Sequence, residues 1–141
     1  MEPAFHFSHP IEIRYGDLDP QRHVNHATYL TYMEMARIQY LKELRLWDGV
    51  DFDRLGVIVA SASCSFLRPI HYGVPVQVGV RTAKLGTKSL QMEYVLEDSQ
   101  AGTVLATGST VLVAYDYLQM SSMAIPKEWR AKIQSFEGLR S

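Results

Sequence analysis

The chain has 141 residues, of which 47% are hydrophobic and 21% are charged, and its formal net charge is −1 at pH 7. This length and composition predict a globular protein with a single domain, residues 1–141. A near-neutral chain without a basic stripe argues against nucleic acid as a partner. No apolar run reaches the ~20 residues that span a bilayer, and the single cysteine, Cys64, excludes an internal disulfide. We therefore expect a cytoplasmic protein without a membrane span.

The predicted elements start with a strand within residues 5–14, where "FHFSHPIEIR" alternates in character. A loop dense in polar side chains, residues 16–26, comes next. From about residue 27 to Trp47, apolar residues recur at spacings of three or four, which predicts a long helix with a wide apolar face. That face carries Tyr29, Met33, Ala36, Tyr40, Leu44 and Trp47.

Alternation with a period of two then predicts four further strands. In "VIVASASCSFLRP", an apolar face is opposed by a face of mostly small hydroxyl side chains. The apolar face comprises Ile58, Ala60, Ala62, Cys64 and Phe66. The segments "VPVQVGVRTAKLG", "SLQMEYVLED" and "TVLATGSTVLVAYD" follow, and the turn residues between them predict an antiparallel meander. A last, short helix is predicted between Pro126 and Gly138.

This order of elements predicts an α+β fold, in which a five-stranded antiparallel sheet wraps around one long central helix. Such a sheet is too small to cover every side of so apolar a helix. We therefore expect a second copy of the chain to cover the remainder, in a homodimer or a dimer of dimers.

The loop before the long helix carries the residues best suited to chemistry. The helix is predicted to begin near residues 25–27, with Asn25 as its N-cap. Its first turn offers unpaired N–H groups and a partial positive charge, which suit a developing oxyanion. Asp19 lies six residues before the cap, and a carboxylate beside such amides is the minimum requirement for hydrolysing an activated acyl group. Taken alone, however, Asp19 is more simply interpreted as a loop carboxylate that caps a turn.

The stretch "RYGDLDPQRHVNHATYLTYMEMARIQYL" resembles the N-terminal signature of the 4-hydroxybenzoyl-CoA thioesterase family of hotdog-fold enzymes. That signature has an Asp-x-Asp loop followed by His-Val-Asn and an aromatic helix. The later "FLRPIHYGVPVQV" and "AKLGTKSLQMEYVL" resemble the family's second to fourth strands, so that the resemblance covers residues 11–115. It implies a hotdog fold and hydrolysis of an acyl-CoA thioester to free acid and CoA, with no metal and no organic cofactor.

By this resemblance, Asp19 is the catalytic carboxylate and acts as nucleophile or as general base on water. The backbone N–H of His26 polarises the thioester carbonyl, and the side chains of Asn25 and His26 flank the reacting centre. Tyr29 is first of all a core residue, and its place at the N-terminal end of the helix makes it a candidate to line an acyl pocket as well. The resemblance further implies a site between two subunits. Its other substrate-binding residues would be Ser61 and Ser63 on the partner's second strand, and Lys88 and Ser89 at the CoA phosphates.

Other features of the loop leave alternatives open. The family usually has glycine where this chain has Arg22, and a cation there could narrow the entrance, or pair with Asp17 or with a substrate carboxylate. His23 and His26 could ligate zinc together with an aspartate, but no convincing third ligand follows them in the sequence. Asp17 is expected to order the loop rather than react, and Cys64 to be a buried, inert thiol.

Two other functions fit the same scaffold. One is a non-hydrolytic acyl-thioester binding protein, a hypothesis that the bulk and charge of Arg22 keep open. The other is hydratase or dehydratase chemistry, which needs a His and an acidic residue facing each other across a dimer. On the long helix no matching carboxylate stands out except Glu34, which lies on the polar side. Acyl-CoA hydrolysis is therefore the first prediction.

Overall fold

The computed structural model describes residues 5–139, which form an antiparallel sheet wrapped around one long helix. The strands are β1 (Phe7–Ile11), β2 (Val57–Phe66), β3 (Val76–Leu85), β4 (Ser89–Asp98), β5 (Val104–Asp116) and β6 (Ser121–Ser122). The helices are α1 (His26–Glu43) and α2 (Lys127–Glu137). The strand order is β1-β3-β4-β5-β2, and the two-residue β6 pairs with the end of β5. The predicted α+β fold, with five main strands around a central helix, is confirmed.

Helix α1 crosses the inner face of the sheet from one edge toward the other. Near its start Tyr29 contacts Phe66 of β2, and near its end Tyr40 contacts Phe7 of β1 and Thr82 of β3. All six residues predicted for its apolar face are buried. No helix in the described part of the chain, α1 included, is both long and apolar enough to cross a membrane.

Helix α1 ends at Glu43, earlier than the predicted Trp47. Arg45 adopts a left-handed conformation with φ of +58°, and the N–H of Leu46 donates to the carbonyl of Leu41 (2.8 Å). These two features define a Schellman turn, which satisfies the last carbonyls of the helix. The turn folds Trp47 back onto the core, where it is buried. The apolar spacing therefore continues past the end of the helix.

The inner face of the sheet is apolar from β3 to β5 and forms the core together with α1. Its buried residues include Val76, Val78, Val80, Leu90, Met92, Tyr94, Leu96, Leu112 and Ala114. Gly108 of β5 lies directly beneath Met33 of α1, and a Cβ at this glycine would lie 2.6 Å from Met33 Cε. The small residue therefore allows the helix to approach the sheet closely.

Strand β2 forms one edge of the sheet, and only Val57 of its ten residues is buried. A bulge at Ala60 shifts its register against β5. Ile58 therefore faces away from α1, whereas Val59 faces toward it. The single apolar face predicted for this strand is wrong at its first residues, because the bulge reverses the alternation. Cys64 is half-buried rather than buried, since no strand covers this edge in the described chain.

Helix α2 follows Pro126 and ends at Gly138, which has φ of +71°, as the sequence predicts. Its last residue, Glu137, holds the helix onto the sheet: Oε2 accepts from the Tyr40 hydroxyl (2.6 Å) and from the Thr82 N–H (2.8 Å). Burial, together with the bond to Glu137, raises the pKa of Tyr40 far above its ordinary value. The hydrogen bonds of Glu137 therefore join α2, near the end of the described chain, to α1 and β3.

Candidate active site

The polar loop before α1 folds as a tight hairpin held by its own backbone. The N–H of Asp19 donates to the carbonyl of His23 (3.0 Å), and the N–H of Arg22 donates to the carbonyl of Asp19 (2.9 Å). This is a three-residue loop, with Pro20 at the first turn position and Arg22 in the left-handed conformation, φ +68°. Glycine adopts that conformation at the lowest cost, so Arg22 occupies a position that favours glycine.

Asp17 anchors this hairpin to α1. It is 4% exposed, and its carboxylate accepts from the Tyr32 hydroxyl (2.7 Å), the Arg14 N–H (3.0 Å) and the Arg14 guanidinium (3.2 Å). Burial alone would raise the pKa of Asp17, but the hydrogen bonds outweigh it and hold the pKa below its ordinary value. Its carbonyl also accepts from the N–H of Asn25 (2.9 Å). Asp17 therefore orders the loop, as predicted, and its partner is Arg14 rather than Arg22.

The first turn of α1 presents a backbone amide without a protein acceptor. Asn25 is the N-cap, as predicted: its Oδ1 accepts from the N–H of Ala27 (2.9 Å), and its carbonyl accepts from Thr28 (2.9 Å). The N–H of His26 has no acceptor among residues 5–139. It lies at the positive end of the helix dipole. An oxygen that gains negative charge in a reaction would find an unused donor there.

Asp19 and His26 line the same cleft, which has a volume of about 360 Å³. One wall is formed by the hairpin and the first turn of α1, and the other by the end of β2 and the residues after it. The lining consists of Asp19, Gln21, His23, Val24, His26, Tyr29, Phe66, Leu67, Arg68 and Pro69. The structure thus brings together three predicted site residues, Asp19, His26 and Tyr29, beside Asn25 at the helix cap.

The second wall of the cleft contains residues that the sequence analysis did not single out. The ring of Phe66, which is 50% exposed, lies 4.8 Å from the ring of Tyr29 and 5.7 Å from that of His26, edge to face in both cases. Arg68 adds a cation to the same wall. Both residues belong to "FLRP", the stretch that carries part of the family resemblance. An aromatic residue on a strand, however, is usually interpreted as core.

The carboxylate of Asp19 has one oxygen engaged and one available. Its Oδ1 accepts from the N–H of Gln21 (2.8 Å), so the turn-capping role is present, and its Oδ2 has no hydrogen bond to the residues of the described chain. Burial raises the pKa of the adjacent Tyr29; the Ile70 backbone opposes the shift, and the charges of Cys64 and Asp19 add to it. The Tyr29 hydroxyl therefore stays protonated at neutral pH.

Ser61 and Ser63, predicted to bind substrate, lie outside the cleft of their own chain. They project from the face of β2 opposite α1, where Ser63 Oγ is hydrogen-bonded to Ser109 Oγ (2.8 Å). The cleft opens on the other face of the sheet. A contribution of these serines to a neighbouring subunit's site stays a prediction.

Lys88 and Ser89 stand at the opposite end of the sheet from the cleft. Ser89 pairs with Val113 near the end of β5, whereas Phe66 pairs with Ala106 near its beginning. At 3.3 Å per residue, this separates the two places by roughly 23 Å along the strand. These residues do not meet the cleft of their own chain, so that only a second copy could bring them to it.

The histidines near the cleft fasten the hairpin to the segment after β2. His23 and His71 form a backbone bridge, and their rings lie 6.0 Å apart; the N–H of Val24 donates to the carbonyl of Ile70 (2.8 Å). Within residues 5–139, no three His, Cys, Asp or Glu side chains are placed to hold a metal ion. A reaction without metal or organic cofactor stays a prediction.

Comparison with known proteins assigns the family. Residues 13–133 match the model of the thioesterase-like superfamily. A thioesterase of Thermus thermophilus, solved with coenzyme A and Zn, is 36% identical, with a TM-score of 0.85, over 99% of this chain and 100% of that chain. The acyl-CoA thioesterase YbgC of Haemophilus influenzae is 27% identical over 89% of this chain and 92% of its own. The long-chain acyl-CoA thioesterase FadM of Escherichia coli is 24% identical over 88% of this chain and 94% of its own. This chain belongs to the thioesterase-like superfamily.

Proposed function

We propose that this protein is an acyl-CoA thioesterase, which hydrolyses an acyl-CoA thioester to the free acid and CoA. One observation carries the proposal: Asp19, which has an available carboxylate oxygen, and His26, which has an unpaired backbone amide, line one cleft. Relatives named as acyl-CoA thioesterases support the substrate class. The related thioesterase solved with coenzyme A supports CoA as the thiol carrier.

In the proposed reaction, the thioester carbonyl oxygen accepts a hydrogen bond from the N–H of His26, and the helix dipole stabilises its developing charge. Asp19 then acts in one of two ways. As a general base, it takes a proton from water, and the water oxygen attacks the carbonyl carbon. As a nucleophile, its free oxygen attacks that carbon and forms an anhydride, which water opens. In both cases the C–S bond breaks, and CoA leaves as a thiolate that takes up a proton.

The proposed enzyme is a dimer that pairs through β2. Ile58 and Val59 of this edge strand are 43% and 45% exposed, and an unprotected apolar edge favours pairing with another strand. A two-fold axis normal to the sheet makes the two copies of β2 antiparallel. The first residues of one β2 then lie near Phe66 of the other. Ser89 pairs with Val113, which pairs with Ile58 near the start of β2, so in this arrangement the partner's Lys88 and the partner's Ser89 approach the cleft.

Asp19→Asn tests the catalytic role. Release of CoA from short, medium and aromatic acyl-CoAs is followed with a thiol reagent. We expect kcat to fall by about 10²–10⁴-fold, the usual contribution of a general acid–base group. KM should change little, because asparagine has nearly the same size and can still cap the turn. Asp53→Asn, at an exposed carboxylate outside the cleft, is the control and should keep full activity. Unchanged turnover in Asp19→Asn would reject the assigned role.

The same measurements examine a second candidate, a protein that binds acyl thioesters without hydrolysing them. The hydrogen bond that Asp19 already makes to Gln21 favours it, because a turn cap needs no catalysis. Tight binding of acyl-CoA by the wild type with no release of thiol would establish this alternative. If hydrolysis occurs, a single turnover in heavy-oxygen water distinguishes the two roles of Asp19, since only the nucleophilic route can label its side chain.

A further inference from the structure

A second polar feature lies between α1 and the sheet. Arg37 is 7% exposed, and its Nη1 donates to the hydroxyl of Tyr94 (3.2 Å), which is itself hydrogen-bonded to Thr110 Oγ1 (2.7 Å). A guanidinium only donates, so Tyr94 accepts from Arg37, whereas either hydroxyl can be the donor in the bond between Tyr94 and Thr110. Arg37 forms no ion pair with a carboxylate of residues 5–139. The network therefore carries a positive charge without a counter-charge from the described chain.

A buried cation without a counter-charge is unfavourable. An anion that binds from outside the chain would relieve this cost. The planar guanidinium fits a carboxylate especially well, because two parallel N–H···O bonds can form at once. Only one nitrogen of Arg37 is engaged by Tyr94, so donors remain for such a ligand.

Arg37 lies on a stripe of α1 that begins in the cleft. His26, Leu30, Met33 and Arg37 follow one another at spacings of four, three and four, which places them on one side of the helix. From His26 to Arg37 the axis rises about 16 Å. Helical side chains tilt toward the N-terminus of their helix. The guanidinium of Arg37 therefore lies closer to the helix start than its own Cα does, at about 10–12 Å from His26 along the axis.

The inner face of β2 lies beside this stripe of α1, starting from the cleft. Phe66 contacts the ring of His26 at 5.7 Å. Two residues earlier, Cys64 pairs with Gly108, the glycine on which Met33 packs. The helix stripe and the strand therefore run side by side away from the reacting groups.

The next inward-facing residue of β2, Ala62, lies level with the hydrogen-bond chain of Arg37. Ala62 pairs with Thr110, the last member of the hydrogen-bond chain that starts at Arg37. In the single chain, Ala62 is exposed and Leu30 is 44% exposed, so the space between helix and strand is open on this side. In the proposed dimer, the second copy of β2 would border it. We call this space the trough. It is bounded by His26, Leu30, Met33, Arg37, Ala62, Cys64 and Phe66.

We propose that Arg37 is a specificity-determining residue that binds a carboxylate at the far end of the acyl group. This inference rests on the proposed thioesterase function. The trough is largely apolar along its length and cationic at its end, so it fits a linear acyl chain of about eight to ten bonds that ends in a second carboxylate. The substrate class is thus the CoA monothioester of a medium-chain dicarboxylic acid. A plain alkyl chain of that length would leave the guanidinium of Arg37 with neither water nor a counter-charge beside it.

The test compares suberyl-CoA with octanoyl-CoA, which have the same number of carbons and differ in the terminal carboxylate. We expect the wild type to favour suberyl-CoA in kcat/KM by at least about 10-fold. Arg37→Met should abolish or reverse this preference while octanoyl-CoA is still hydrolysed. Arg37→Lys, which keeps the charge and loses the planar fork, should lie between the two. Arg54→Met, at an exposed arginine outside the trough, should keep the wild-type ratio.

A wild type without preference, or an Arg37→Met variant with the wild-type ratio, would overturn the inference. If Arg37→Met does not fold, inhibition of the wild type by free suberate and free octanoate decides: stronger inhibition by suberate supports the inference, and equal inhibition overturns it. If Arg37→Met and Glu34→Gln both weaken self-association and leave the ratio unchanged, Arg37 pairs with a carboxylate of a second copy, and the inference is wrong.

The failure of this inference differs from the failure of the proposed function. Hydrolysis of both esters at similar rates rejects the role of Arg37 and leaves the thioesterase intact. If no acyl-CoA of any kind is hydrolysed, the proposed function is rejected. Equilibrium binding of suberyl-CoA and octanoyl-CoA then tests Arg37 by itself, with tighter binding of suberyl-CoA as the supporting result and equal binding as the opposing one.

Discussion

At the scale of single residues, Asp17 makes the stability of the site depend on pH. Its folded-state pKa lies below the ordinary value of 3.8, so the ionised form stabilises the fold. This contribution is fully present above pH 3.8 and is lost as the pH falls through the lower, folded-state pKa. We expect Asp17→Asn to lower the free energy of unfolding by about 2 kcal/mol at pH 7, since the buried Tyr32 hydroxyl and the Arg14 N–H lose a charged acceptor.

Urea unfolding of wild type and Asp17→Asn, repeated from pH 7 downward, measures this effect. The difference between the two proteins should shrink as the pH falls below about 4, because the wild-type carboxyl is then protonated too. Asp53→Asn, at an exposed site, should show no such trend. A difference that stays constant down to acidic pH would contradict the assigned cause.

Arg22 has a backbone conformation that favours glycine, although its own side chain is long. Its φ of +68° costs an ordinary L-residue about 1 kcal/mol, and glycine escapes this cost. We expect Arg22→Gly to be neutral or stabilising by up to ~1 kcal/mol, and Arg22→Val to destabilise, because β-branched residues tolerate positive φ poorly. The measurement is the thermal unfolding midpoint of the wild type, Arg22→Gly and Arg22→Val. Equal loss of stability in both variants would instead show that the Arg22 side chain stabilises the hairpin.

At the scale of elements, periodicity predicts the strands and helices, and single backbone conformations decide where they end or turn. Helix α1 stops at a left-handed Arg45, and β2 reverses its faces at a bulge on Ala60. An arginine does not predict a left-handed helix end, and an alanine does not predict a β-bulge, because glycine is the usual sequence signal for both. Predictions based on residue type therefore locate these two elements correctly and err at the last turn of one and the first residues of the other.

The tie between α2 and the sheet gives a prediction at this scale. Glu137→Ala removes one acceptor from two donors, the Tyr40 hydroxyl and the Thr82 N–H. We expect a loss of about 2–3 kcal/mol in the free energy of unfolding, measured in urea, because hydrogen bonds to a charged group contribute more than neutral ones. Glu137→Gln should lose about half as much.

Glu128→Gln, on the exposed first turn of the same helix, is the matched control and should change stability by less than about 0.5 kcal/mol. If Glu137→Ala unfolds with the stability of this control, the carboxylate does not fasten α2. The helix would then be held by the burial of Ile133, by the packing of Trp129 and Phe136, and by the hydrogen bond from Arg130 to the Gly86 carbonyl.

At the scale of the whole molecule, the two walls of the cleft differ in how well the sequence predicts them. Asp19, Asn25 and His26 are close in sequence and flank a helix start, so local signals suffice to bring them together. Phe66 lies forty residues after His26, and only the curvature of the sheet brings it to the cleft. Local patterns therefore predict the reacting groups but miss the opposite wall.

The proposed dimer gives the prediction at this scale. Val59→Lys places a charge on the apolar edge of β2, where Val59 is 45% exposed. We expect the variant to elute as a monomer in size-exclusion chromatography with light scattering, because an edge lysine opposes strand pairing. Activity should fall by about 10²-fold, as the site loses the groups that position CoA. Val50→Lys, at a 79% exposed loop position, should change neither property. A dimeric, fully active Val59→Lys would exclude β2 as the interface.

The backbone bonds between the hairpin and the segment after β2 have a consequence for how the protein behaves on dilution. The Asp19 hairpin is attached through Val24 and His23 to Ile70 and His71, only a few residues beyond the strand proposed to pair. Subunit association and the order of the hairpin are then linked by mass action, so each strengthens the other. Turnover per chain should rise with protein concentration and level off once association is complete.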